Sequence, residues 1–118
     1  MRSSPTDPGS TLGISGETRI LGLLADPVTQ ARSPAMATEL LRARGRFGSF
    51  VLVPMETPAA ALGQVVAGLR RLGNFSGAIV SMPHKTAIVS LLDELTPAAE
   101  LVGAVNVIRR APDGRFHG

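Results

Sequence analysis

The sequence predicts an α/β fold, a three-layer sandwich whose mostly parallel sheet is flanked by helices, and three observations lead there. Short apolar runs alternate with helix-length stretches from Arg19 onward, in the order strand, helix, strand, helix. Within one of those stretches Leu62, Val65, Val66, Leu69 and Leu72 recur at spacings of three and four, which makes a single apolar stripe that must face a sheet. Three pairs, Ser33-Pro34, Thr57-Pro58 and Thr96-Pro97, share one helix-start device: a hydroxyl to cap free backbone N–H groups, then a proline suited to the first helical position.

Residues 1–17 are rich in Ser, Pro, Gly and Thr without apolar periodicity, which reads as a flexible lead-in. The run Ile20 to Leu24 is the first strand. A helix is expected from Pro34 to Arg44, ended by Gly45, then a strand from Phe50 to Val53 and a helix from Pro58 to Leu72, ended by Gly73. A strand at Gly77 to Val80 leads into a helix from Pro83 to Leu92. A short helix from Pro97 to Val102 precedes a strand from Ala104 to Ile108, Pro112-Asp113-Gly114 makes a turn, and a last strand begins at Arg115. Strands separated by helices favour parallel pairing with right-handed crossovers, and ligands gather at the carboxyl ends of such strands. Two loops belong there, Asp26 to Ser33 and Ser81 to Lys85.

At 118 residues with 44% hydrophobic content, the chain suits one domain and not two. It has no cysteine, hence no disulfide and no thiolate metal site, and His84 and His117 are too few for a histidine metal cluster, so no metal is expected. The setting expected is a reducing cytoplasm. No apolar run approaches the roughly 20 residues of a bilayer-spanning helix, and the start of the chain lacks a signal-peptide core, so no membrane association is expected. The net charge of +3 comes from scattered arginines, and with four Phe and no Trp or Tyr there are few platforms for base stacking. Nucleic acid is therefore not an expected partner.

The chemistry concentrates at Ser81-Met82-Pro83-His84-Lys85. If a helix starts at Pro83, Lys85 sits in its first turn, where the helix macrodipole disfavours a cation, so packing alone would not choose it. Desolvation and the helix terminus would both lower a lysine pKa, which suits a general base or a donor to a developing alkoxide; the alternative is a surface lysine whose stem covers the sheet edge. His84 has no acidic partner at a spacing that would orient its ring and reads as a polar helix-start residue. Ser33 is explained as a helix cap, with ligand binding as the alternative. Asn106, within Gly103-Ala104-Val105-Asn106-Val107-Ile108, reads as a buried amide in need of a partner, either backbone or ligand. Neither a G-x-G-x-x-G nor a P-loop occurs, so no cofactor-binding residue is assigned.

Taken together, Ala25-Asp26-Pro27-Val28, Ser33-Pro34-Ala35-Met36, Met82-Pro83-His84-Lys85 and Gly103-Ala104-Val105-Asn106 resemble the amino-terminal, substrate-binding domain of the shikimate dehydrogenase family, over about Arg19 to Gly118. The resemblance implies an oxidoreductase that uses NADP, in which Lys85 is catalytic and assists proton transfer. It also implies that Ser33 helps hold the carboxylate of a small cyclic hydroxy acid, and that Ser81 and Asn106 bond its ring hydroxyls. On the same grounds residues 18–118 form the substrate-binding domain, with the catalytic aspartate and the NADP-binding Rossmann domain expected beyond Gly118. The chain alone is then expected to bind substrate weakly without catalysing hydride transfer.

The departures bear on substrate. The family's Ser-x-Ser pair has Ala31 at its first position, an asparagine of the strand before Pro-His-Lys is Ile79, and the histidine and asparagine usual after Ser-Pro are Ala37 and Thr38. Each lost bond would cost about 1 to 3 kcal/mol, which predicts weaker shikimate binding and favours a less hydroxylated cyclic acid. Arg32 or Gln30 is expected to offset part of the loss by gripping the carboxylate. The competing reading is a non-catalytic module that binds a cyclic carboxylate. Self-association along an apolar sheet edge would give a homodimer.

Overall fold

The structure, a computed structural model, describes residues 13–118, and most of the lead-in expected at residues 1–17 lies outside them. Five strands make one mixed sheet: β1 (Arg19–Ala25), β2 (Phe50–Glu56), β3 (Phe75–Val80), β4 (Val107–Arg110) and β5 (Phe116–His117). They are arranged in the order β2-β1-β3-β4-β5. β1 runs parallel to both β2 and β3, whereas β4 is antiparallel to β3 and β5 antiparallel to β4. The α/β layering is as expected, with half of the sheet parallel.

Helix α1 (Ser33–Ala43) covers one face, and α2 (Leu62–Arg70) the other together with a 3-10 helix at Ala87–Leu91. The larger core lies on the α2 face, where Leu62, Val66 and Leu69 meet Leu24, Phe75, Val80 and Ile108. These are the helix residues the stripe singled out, except that Leu72 falls beyond the helix and is exposed. Phe116 of β5 completes this core, its ring 5.6 Å from that of Phe75. The smaller core holds Leu23, Ala25 and Leu52, with Ile79 and Ala37 packed against it.

Several boundaries differ from the expected ones. β2 continues through Pro54 to Glu56 because it is an edge strand, where a missing N–H breaks no ladder bond on the open side. The helix expected from Pro58 is a 3-10 turn at Ala59–Ala61 followed by α2, and the Thr57 hydroxyl donates to the Met55 carbonyl instead of capping it. Thr96 does cap α3 (Pro97–Val102), accepting from Ala99 N–H at 3.1 Å, and Gly103 ends that helix at φ 76°.

Candidate functional site

The two loops at the carboxyl end of the parallel strands are fastened to each other by the backbone. Ser81 N–H donates to Leu24 C=O and Asp26 N–H to Met82 C=O, at 2.9 and 3.1 Å, so the chain leaving β3 stays beside the chain leaving β1. From the other side Val80 N–H donates to Asn106 C=O and Val105 N–H to Lys85 C=O, both at 2.9 Å. The segment Ser81 to Lys85 is thus held between β1 and the approach to β4. It is irregular backbone: the Met82–Pro83 peptide is cis, and the only helical turn nearby is the 3-10 segment at Ala87–Leu91. The expected helix from Pro83 to Leu92 is absent, so no α-helix dipole acts on Lys85 and its placement has to be read from the cavity it enters.

That cavity, about 570 Å³, opens at the strands' carboxyl ends. Arg32 and Ser33 enter it from the β1–α1 loop, Ser81 and Lys85 from the loop after β3, and Asn106 from just before β4. All five residues singled out in the sequence therefore meet in one place, together with Gln30. Ile79 and Ala31 line it too. Two cations, Arg32 and Lys85, face one acid, Asp26, which favours an anionic ligand. A second cavity of about 710 Å³ adjoins it and shares Lys85, Asn106 and Val107, so the lysine stands between two chambers.

Two local explanations fail, and both failures leave side chains available. Ser33 does not cap α1; the capping position belongs to Arg32, whose side chain makes no cap bond. Asn106 is exposed rather than buried, so no buried-amide penalty constrains it. Among the described residues no hydrogen bond engages the side chains of Ser33, Ser81, Lys85 or Asn106.

His84 plays a larger structural part than a polar helix-start residue would. It is 1% exposed, and its Nε2 lies 2.7 Å from the carbonyl oxygen of Thr57, itself 2% exposed. An acceptor at that distance requires the N–H on Nε2. The ring ties the Lys85 loop to the end of β2, a contact across 27 residues that no local spacing could signal.

Among the described residues no group of three or more His, Cys, Asp or Glu side chains could hold a metal ion. Nor do they fit a dinucleotide. The loop after β1, Asp26 to Arg32, has no glycine to let a pyrophosphate approach the backbone. No helix among them is long and apolar enough to cross a membrane.

An open α/β sheet with an irregular, cation-bearing cavity at its strand ends defines the class of α/β domains that carry their binding cleft at the sheet's carboxyl end. A family model described as the shikimate dehydrogenase substrate binding domain matches residues 23–108, and the chain belongs to that family. A curated relative from Geobacter metallireducens, named shikimate dehydrogenase (NADP(+)), is 45% identical over 102 residues; the match covers 86% of this chain and 35% of the relative. Among solved structures, shikimate 5-dehydrogenase from Listeria monocytogenes, in complex with shikimate and NAD, is 42% identical with a TM-score of 0.82, over 89% of this chain and 35% of that one. The Thermus thermophilus enzyme, in complex with NADP(H) and shikimate, is 31% identical with a TM-score of 0.77, over 86% of this chain and 37% of that one. The chain thus spans about a third of the length of these relatives.

Proposed function

We propose that this chain is the substrate-binding part of an NADP-dependent, shikimate dehydrogenase-like oxidoreductase of the cytoplasm. It would act on 3-dehydroshikimate and shikimate, or a related cyclic hydroxy acid, in the shikimate pathway to the aromatic amino acids. Residues 18–118 would be its substrate-binding domain. The observation that carries this reading is the convergence of Arg32, Ser33, Ser81, Lys85 and Asn106 on one cavity from three separate segments.

The roles follow from donor chemistry. The Arg32 guanidinium and the Ser33 hydroxyl take the carboxylate, since a guanidinium offers two parallel donors to a carboxylate's two oxygens. Ser81 and Asn106 bond the ring hydroxyls, the amide giving and accepting at once. Lys85 Nζ faces the oxygen on the reacting carbon, supplies a proton as that oxygen gains charge, and recovers it in the reverse direction. The nicotinamide supplies the hydride chemistry; the described residues form no site for it, and no step of it is ascribed to them.

The test joins this chain to the cofactor-binding remainder of the Geobacter metallireducens enzyme and follows NADPH formation with shikimate. Lys85→Ala is expected to lower kcat by about 10² to 10⁴, the usual contribution of a positioned proton donor, with a much smaller change in KM. If the variant turns over as fast as the parent, Lys85 has no part in proton transfer; if the parent fusion binds shikimate without forming NADPH, the non-catalytic carboxylate-binding module becomes the better reading.

A further inference from the structure

The cavity has two chemically different walls. Strand register sets Leu23 beside Ile79 and Ile79 beside Val107, so three aliphatic residues cross β1, β3 and β4 in one row, and all three line the cavity. Residues paired in this way project from the same face of a sheet. The hydrogen-bonding side chains, Ser33, Ser81, Lys85 and Asn106, come from outside the regular strands. A ring hydroxyl turned toward the row would leave water and find no partner, whereas a C–H edge would lose nothing there.

We infer that the site selects a cyclic carboxylate with one hydroxyl fewer than shikimate, seated with its bare ring edge on Ile79 and Val107, the part of the row that Leu23 backs from the core, and that Ile79, at the centre of the row, sets this preference. The inference rests on the reading of the cavity as a cyclic-carboxylate site. An apolar wall rejects an added hydroxyl by at most about a hundredfold, so the preference expected is about ten- to a hundredfold.

Calorimetric titration of the 118-residue chain with shikimate and with each of its three monodeoxy analogues tests it. One analogue is expected to bind about ten- to a hundredfold more tightly than shikimate, the other two more weakly because they forgo bonds to Ser81, Asn106 or Lys85. Ile79→Asn should erase that preference, and Ile79→Thr, which keeps the β-branch suited to a strand, should reduce it if the asparagine variant does not fold. If shikimate binds at least as tightly as every analogue, or if the preferred analogue keeps its full advantage in the folded Ile79 variant, the inference is overturned while the carboxylate site stands. Absence of binding by all four acids overturns both.

Discussion

On one face of the sheet, α2 and the 3-10 helix press Leu62, Val66, Leu69 and Ile88 against Phe75, Val80 and Ile108, and Phe116 closes the end; on the other face, α1 contributes no buried residue at all. The first face removes nearly all of its side chains from water. The second covers Leu23, Ala25 and Leu52 and then stops short, leaving Ile79 and Val107 at a cavity that Lys85 shares. The faces thus differ in burial: one holds most of the fully buried side chains, and the other keeps polar side chains unbonded at its end. Substitutions on the two faces should separate stability from binding.

The largest effect belongs to the closed face. Phe75→Ala removes a side chain with no exposure from the centre of the core and is expected to cost about 3 to 5 kcal/mol, read as a shift of the urea midpoint. His84 lies where the faces meet. Its replacement by Ala strands the buried Thr57 carbonyl, at an expected cost of about 1 to 3 kcal/mol, and His84→Gln should recover part of that if its amide reaches the same oxygen. Thermal unfolding of the pair would show whether the hydrogen bond or the ring volume matters.

The three hydroxyl-proline pairs sharpen the contrast. Thr96→Ala should cost about 1 kcal/mol, since the Thr96 hydroxyl caps α3, whereas Ser33→Ala should change stability by less than about 0.5 kcal/mol, because the Ser33 hydroxyl caps nothing. If Ser33→Ala were as costly as Thr96→Ala, the claim that the Ser33 hydroxyl is kept free for a ligand would fail.

The smallest effect concerns Asp93. The Phe116 N–H, and then the Arg70 guanidinium at 2.7 Å, hold its carboxyl below the ordinary value. A depressed folded-state pKa contributes stability above the unfolded value of about 4, and that contribution is lost as pH falls through the lower folded value. Asp93→Asn should therefore destabilise the protein at neutral pH, by less than about 1 kcal/mol because both partners are partly solvated, and the gap to the parent should shrink as the pH is lowered through the acid range below the ordinary carboxylate value. Denaturation midpoints at neutral and at acid pH would check the sign.

What could be read from the sequence was whatever is local or periodic. The apolar runs of β1 and β3 and the stripe of α2 stood out because burial repeats along the chain. The helix expected from Pro83 misled for a related reason: Ile88 and Leu91 are spaced for a helical turn, and they do lie in one, but a short 3-10 turn that begins only at Ala87. Contacts between distant residues were out of reach. The His84–Thr57 bond spans 27 residues, and the Arg110 guanidinium reaches the carbonyls of Arg70, Leu72 and Phe75 across 35 to 40 residues. Arg32, Ser33, Ser81 and Lys85 sit on the two strand-end loops that topology designates for ligands, whereas the roles of Ser33, Ser81 and Asn106 came from the family resemblance; Asn106 is exposed because the strand expected from Ala104 starts only at Val107.

Two residues before Ile79 the same strand carries Gly77, where any Cβ would come within 2.5 Å of the Ile108 carbonyl oxygen. A larger residue there would push β3 and β4 apart, and a slip of one residue would turn Ile79 away from the cavity and bring Ala78 or Val80 in. β3 thus holds a position that resists almost any replacement two residues from one that lines the cavity. Divergence at Ile79, within what its packing against Leu23 allows, would alter which acid is accepted one point mutation at a time, because Gly77 keeps the frame in which such mutations are tried.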